Sequence, residues 1–220
     1  MGEGRAVSPG PRASVSPPAG SAIAAVVDTR SRILEVAADL FMDRGYAGTS
    51  VNAIGKRLGI SAPALYWHFP SKEAILFALL EQVLDRFADA LETSEVDPVP
   101  RLSALVRQYV LFQLEHRRAV AGYTSMAAFA RSGSVLIPEH QAKFVKLQRG
   151  VYETFLNTIR AGVRSGVFDV PDAVPTTFAI IAMCEHVDKW ASPRGRLSPQ
   201  SLASHHVTLA LRMVGASGVH

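Results

Sequence analysis

From Arg44 to Lys72 the chain carries no aspartate or glutamate, while Arg44, Lys56, Arg57 and Lys72 supply four cations with His68 beside them. Hydroxyls, an amide and two adjacent aromatics are interspersed: Thr49, Ser50, Asn52, Ser61, Tyr66 and Trp67. Cations and short polar groups without competing carboxylates hold phosphates and read base edges, so this window is suited to a polyanion. Downstream of it, 15 basic and 14 acidic side chains nearly cancel, as on an ordinary solvated surface. The net charge of +4 therefore says less than the place where the charge is concentrated.

Residues that could support catalysis do not assemble. Six residues separate Gly48 from Gly55-Lys56-Arg57, the wrong spacing for a phosphate-binding loop, and no strand signal precedes them. Cys184 and His186 are two apart, so on a helix they diverge by about 200° and cannot act as nucleophile and base. His205-His206 reads as a surface pair, and neither HExxH nor GxSxG occurs. No catalytic residue, metal site or cofactor is expected. A single cysteine excludes an internal disulfide and a structural zinc site and suits a reducing, cytoplasmic setting. The longest apolar runs, Ala74 to Leu80 and Phe178 to Cys184, fall far short of the roughly 20 residues of a membrane span. The apolar patch Ala22 to Val27 is too short for a secretory signal and follows a Pro/Ser-rich stretch rather than a basic one.

These groups must be positioned by helices. Period-two alternation and hairpin turns are missing, whereas helical spacing recurs from Arg30 to Leu211, so the fold class is all-α, with about nine helices. Hydrophobic residues make up 48% of the chain, enough for a core. Ile33, Leu34, Ala37, Leu40 and Phe41 form one apolar stripe, with Asp28 or Thr29 as cap and Gly45 as stop. Ser50 caps a short helix burying Val51, Ile54 and Leu58 and ending at Gly59. Ser61 caps another, with Pro63 in its first turn and Leu65 and Phe69 pointing inward. Pro70 breaks that helix, and Ser71 caps a long one running to about Leu91. Glu95 to Pro100 reads as a linker, followed by helices at about 101–117, 120–131, 138–164, 173–190 and 199–214. Residues 1–27 are expected as a flexible arm, 28–72 as the first domain, 73–215 as the second and 216–220 as a tail.

Two short helices joined by a glycine-containing turn inside an acid-free basic window are a helix-turn-helix, whose second helix fits the major groove. Arg32-Ile33-Leu34, Ala37-Ala38, Leu40-Phe41, Gly45-Tyr46, Thr49-Ser50-Val51, Ile54, Leu58-Gly59-Ile60-Ser61 and Ala64 through Glu73 resemble the signature of the TetR family of transcriptional regulators nearly end to end. Gly55 departs from that pattern, where alanine is usual; glycine there costs helix two up to about 1 kcal/mol.

The resemblance implies that Thr49, Ser50, Tyr66, His68 and Lys72 position the protein on phosphates while Asn52, Ala62, Ala64 and Trp67 face base edges, with Lys56 and Ser61 in the same set. Ala62 and Ala64 offer only methyl contacts, so specificity leans on Asn52, Tyr66, His68, Lys56 and DNA shape. Lys56 and Arg57 diverge by about 100°, so one of them faces the groove. Tyr66 and Trp67 have an alternative as packing aromatics, and His68 as a core or surface histidine.

For the second domain the resemblance implies a homodimer and an effector pocket. The pocket set is Phe87, Tyr109, Phe112, Gln113, Tyr123, Met126, Phe129, Phe144, Gln148, Tyr152 and Phe155, an aromatic lining suited to an apolar ligand with a few polar anchors. The dimer set is Phe178, Ile181, Ala182, Glu185 and Lys189 with Leu202, Val207 and Leu209; the alternative is that these residues close the monomer core. The connection Trp190-Ala191-Ser192-Pro193-Arg194-Gly195-Arg196-Leu197-Ser198-Pro199 resembles one found in TetR-type regulators of fatty-acid and steroid breakdown, some of which sense acyl-CoA thioesters, although the aromatic that often follows the tryptophan is missing. The expected partners are double-stranded operator DNA, a second copy of the chain and a small-molecule effector, with no membrane. The expected function is repression relieved by a small, largely apolar effector, with an acyl-CoA or other lipid-derived compound as one candidate. The alternative is a helical lipid-binding protein or enzyme with an incidental basic patch.

Overall fold

The structure, a computed structural model, describes residues 19–131 and 135–216. Among these the chain forms ten helical segments and no strand: α1 (Ala19–Arg44), α2 (Val51–Leu58), α3 (Ala62–His68), α4 (Lys72–Ala90), α5 (Pro98–Glu115), α6 (Arg117–Arg131), α7 (Pro138–Arg164), α8 (Ala173–Glu185), α9 (Val187–Trp190) and α10 (Pro199–Met213). No helix of the described residues is long and apolar enough to cross a membrane.

The short helices are bounded as their capping residues dictate. Ser50, Ser61 and Ser71 each accept a hydrogen bond from the amide three residues on, those of Ala53, Ala64 and Ala74, satisfying one of the orphan donors at each start. Gly59, at φ 71°, ends α2 in the left-handed conformation that side chains disfavour.

Three boundaries differ from expectation. Residues 19–27 are the opening turns of α1, not part of an arm, and no cap sits at Asp28 or Thr29. Four alanines between Ala19 and Val27, with no proline after Pro18, let the helix propagate backward from its packed stripe. Residues 1–18 and 217–220 lie outside the described residues. Pro98 and Pro100 open α5 instead of interrupting a linker, because a proline in the first turn has no intrahelical amide bond to lose. The helix expected at 173–190 breaks at His186 (φ −104°, ψ 7°) into α8 and α9.

The packing forms two cores that do not divide at residue 72. The N-terminal core joins Ile33 and Leu40 of α1, Ile54 of α2, Leu65 and Phe69 around α3, and Ile75 and Leu80 of α4 to Met126 and Ala130 of α6 and Phe144 of α7. The C-terminal core joins Leu102, Leu105 and Val106 of α5 to Phe155 and Ile159 of α7 and to Leu202, Ala203, Val207 and Ala210 of α10. Leu202 and Val207 are thus buried within one chain, a correction to their assignment to a dimer interface: α10 lies along α5, and its apolar stripe is spent there. His206 is also buried, its Nδ1 2.8 Å from the Leu202 carbonyl and its ring 6.0 Å from that of Trp190, so the expected surface pair reduces to His205. Cys184 is fully buried, and burial pushes its thiol pKa up to about 12, as for a small inert hydrophobe.

At the end of α7, the ring of Phe168 folds back against Gly162, whose carbonyl accepts from the amides of Val167 and Phe168 at 3.0 and 3.1 Å. A methyl group on Gly162 would overlap that ring. Gly162→Ala is expected to lower stability by about 1–3 kcal/mol through overpacking, read as a fall in Tm; an unchanged melting curve would show that the ring has room to move.

Candidate nucleic-acid interface and effector cavity

α3 has only seven residues and cannot hold itself together in water. Leu65 and Phe69 anchor it, at 0% and 2% exposure, and the Arg30 guanidinium lies 4.7 Å from the Phe69 ring centroid. With its inner side committed, the helix turns the opposite side outward. Tyr66 is 49% and Trp67 90% exposed, and Ser50, Asn52, Lys56, Arg57, Ser61 and Ala64 are exposed around them, with Ala62 and His68 half-buried. The packing alternative for Tyr66 and Trp67 is therefore excluded within the chain. Ser50 and Ser61 accept backbone amides as caps, which leaves each hydroxyl proton to donate outward.

Two residues expected on phosphates do other work. Thr49 is buried, and its hydroxyl lies 3.1 Å from the Leu40 carbonyl and 2.9 Å from that of Gly45. Its side chain fastens the end of α1 to the start of α2 and is unavailable to a ligand. Lys72 donates from Nζ to the carbonyls of Tyr46 and Thr49, both at 2.9 Å, and sits 4.2 Å from the Tyr46 ring centroid. Partial burial lowers its pKa below the ordinary lysine value. Lys72 is a staple between α4 and the α1–α2 loop, with one proton left to point into the notch lined by Gly48, Ser50, Asn52 and Tyr66. Sequence spacing could show that a cation stood here but not that two carbonyls converge on it.

In the C-terminal half, a cavity of about 310 Å³ lies between α4, α5, α6, α7 and α8. It brings together Phe87, Tyr109, Phe112, Gln113, Tyr123, Gln148 and Tyr152, as expected. Rings meet closely there: Phe87 lies 4.6 Å from Tyr109 and 4.9 Å from Phe112, and Tyr152 stacks on Phe178 at 4.8 Å. Gln148 donates to the Tyr123 hydroxyl at 2.9 Å. Burial raises the pKa of Tyr109 well above that of a free phenol and raises that of Tyr123, with Glu185 adding to both.

Four expected pocket residues lie elsewhere. Met126 and Phe144 are buried in the N-terminal core, Phe155 lies in the C-terminal core 6.1 Å from the Tyr109 ring, and Phe129 packs 5.3 Å from Tyr46. On a rise of about 1.5 Å per residue, the step from Tyr123 to Met126, or from Gln148 back to Phe144, keeps the helix face but leaves the cavity wall for the interior of the N-terminal core. Conversely, Phe178, Ile181 and Glu185, expected at a dimer interface, line the cavity, while Ala182, Lys189 and Leu209 are exposed. Val83, Leu84, Val120, Thr124 and Val151 also line it; Val83, Leu84 and Phe87 share one face of α4, a spacing legible in the sequence. Among the described residues no group of three or more His, Cys, Asp or Glu is placed to hold a metal.

An exposed aromatic helix on a two-helix turn, packed through α4, α6 and α7 against a helical unit with an apolar cavity, is the arrangement of a helix-turn-helix DNA-binding regulator. Residues 33–79 match the family described as bacterial regulatory proteins, tetR family, and residues 95–214 match the tetracyclin repressor-like C-terminal domain. The chain belongs to the TetR family. It is 28% identical to the HTH-type transcriptional repressor KstR2 of Mycobacterium tuberculosis over 196 residues, 86% of this chain and 94% of that one. Among solved structures it resembles a tetR-family regulatory protein from Rhodococcus RHA1 (TM-score 0.74, 28% identity, 86% of this chain and 97% of that one). It also resembles AibR, solved in complex with isovaleryl coenzyme A and operator DNA (TM-score 0.66, 25% identity, 82% and 96%).

Removing the staple separates folding from recognition. Lys72→Met is expected to cost about 2 kcal/mol, the scale of hydrogen bonds to a charged group, whereas Trp67→Ala should leave stability within about 0.5 kcal/mol. Parallel thermal melts check this, and equal Tm values for the two variants would contradict the assignment of Lys72.

Proposed function

We propose that the chain represses transcription by binding operator DNA as a homodimer and lets go when a small, largely apolar compound fills the cavity. The observation that carries the DNA-binding half is a tryptophan left 90% exposed within the acid-free stretch from Arg44 to Lys72, since burying such a ring against a partner is strongly favourable. On DNA, Tyr66 and the hydroxyls of Ser50 and Ser61 would hold phosphates, with the free proton of Lys72 beside them. Asn52, Trp67 and the methyls of Ala62 and Ala64 would meet base edges, and Lys56 and His68 would flank them.

Dimerisation is supported by apolar side chains left outside both cores: Phe178 at 59%, Leu209 at 47% and Met213 at 40% exposure. A twofold would present two α3 helices to successive major grooves. Ala182 and Lys189 are exposed on the same segment of chain as Phe178.

Release has a physical route, because two cavity-wall helices also grip the DNA-binding unit. α6 carries Val120, Tyr123 and Thr124 of the wall, and along the same helix Arg118 pairs with Asp39 at 2.7 Å, Gly122 abuts Met42 and Phe129 packs on Tyr46. α4 carries Val83, Leu84 and Phe87 of the wall and Lys72 at its other end. A ligand that fits only one arrangement of these helices shifts the population toward it by its differential affinity. An acyl-CoA or other lipid-derived effector draws support from the AibR neighbour and from the Trp190 to Pro199 connection. The phosphates of such a molecule would find cations only outside the cavity, at Arg101, Lys143 and Lys146 of an adjoining open groove.

Binding of the full chain to duplex DNA from the region upstream of its own reading frame, titrated with salt, tests the reading. The affinity should fall steeply with salt. Tyr66→Phe should weaken all sequences alike, and Asn52→Ala should relax discrimination at one base position by about 1–3 kcal/mol. A chain that stays monomeric and ignores DNA at low ionic strength would overturn it.

A further inference from the structure

We propose that the cavity between α4 and α8 is a binding site for a lipophilic amine, a molecule with an aromatic or aliphatic body and a protonated nitrogen that donates to Gln113 and faces Glu185. The inference rests on the cavity being the effector site and, within it, puts an amine in place of the acyl-CoA or lipid-derived effector.

Gln113 is 94% buried, by its 6% exposure, yet its carboxamide oxygen has no hydrogen-bond partner among the described residues, although it lines the cavity. A buried acceptor of this kind is costly unless a donor reaches it. Acidic and neutral groups complete the polar inventory of the wall. Glu185 is its one ionisable side chain other than tyrosine, and no lysine, arginine or histidine lines it. His116 stacks on Phe112 at 4.5 Å but does not line the cavity. Gln113, Glu185 and Tyr109 line the same cavity, and the pKa of Tyr109, raised mainly by burial, is raised further by Glu185 and held down by a side-chain hydrogen bond with Gln113.

The charge balance decides the ligand class. A carboxylate or phosphate drawn into this space would lose its water, find no cation on the wall, only Arg131 acting on Tyr123 from behind it, and meet the Glu185 carboxylate. An ammonium group meets the opposite sign, and the rings of Phe87, Phe112, Tyr109, Tyr152 and Phe178 present π-faces that attract cations. Its N–H groups also supply the donor that the Gln113 oxygen lacks. At about 310 Å³ the space lies at the lower end of small-molecule pockets, so the amine is compact.

Three matched probes settle the question in calorimetric titrations of the full chain: phenylbutylamine, phenylbutanol and phenylpentanoate, which share a body and differ in the charge of the end group. The amine should bind about tenfold more tightly than the alcohol, the scale of one cation–π and carboxylate pairing, and the anion weakest of the three. Glu185→Gln, a substitution at an exposed position that leaves the cores intact, should erase the advantage of the amine over the alcohol while leaving the alcohol unchanged. Gln113→Leu should weaken the amine and the alcohol together. Binding of phenylpentanoate above the amine, an unchanged ranking in Glu185→Gln, or no binding of the amine at all would each overturn the proposal. DNA binding of the same preparation, measured without ligand, reports separately on the regulator reading, so loss of one does not entail loss of the other.

Discussion

A seven-residue helix that must show its chemistry to a partner has to be held from behind. α3 meets this constraint with Leu65 and Phe69, sunk into a core shared by α1, α2 and α4, and burial of each contributes on the order of 1.5–3 kcal/mol. That anchorage frees Tyr66 and Trp67 to stand in solvent. The serine caps, Gly59 and the Lys72 staple all fix the angle at which the anchored helix leaves the core. The polar groups at this site are therefore divided between holding the backbone and facing outward, and Thr49 and Lys72 fall largely in the first group.

The second organising feature is the reach of the long helices. α4, α6 and α7 each contribute residues to the N-terminal core and to the wall of the cavity. Close-packed interiors rearrange between discrete arrangements more readily than they deform smoothly. A helix embedded in both the cavity wall and the N-terminal core cannot shift at one end without disturbing the other. The Glu73 carboxylate adds a third tie, accepting from His140 at 2.7 Å at the start of α7.

The cavity itself is built with an economy of charge. Its walls are aromatic and aliphatic, its amides and phenols partly satisfy each other, and its ionisable groups apart from tyrosine amount to one carboxylate. A charge that enters a space of that kind gives up water and meets a wall whose only ionisable group besides tyrosine is a carboxylate.

The amino-acid sequence by itself determined the helical class, the caps of α2, α3 and α4, the inward residues of α1 and α3 and the acid-free basic window that holds α2 and α3. These are local properties: periodicity, capping side chains and the density of like charge act over a few residues and need no partner from elsewhere. The tertiary structure decided the rest. Thr49 looks like a surface hydroxyl until the carbonyls of Leu40 and Gly45 converge on it, and Lys72 looks like a free surface cation until the loop at Tyr46 folds beneath it. Met126 and Phe144 share helical faces with Tyr123 and Gln148, yet they are closed inside the N-terminal core rather than set on the cavity wall, because one turn along an axis carries a side chain across a boundary that only the packing of neighbouring helices creates. Leu202 and Val207 read equally well as interface or interior, since an apolar stripe specifies that it must be covered, not what covers it; here α5 does.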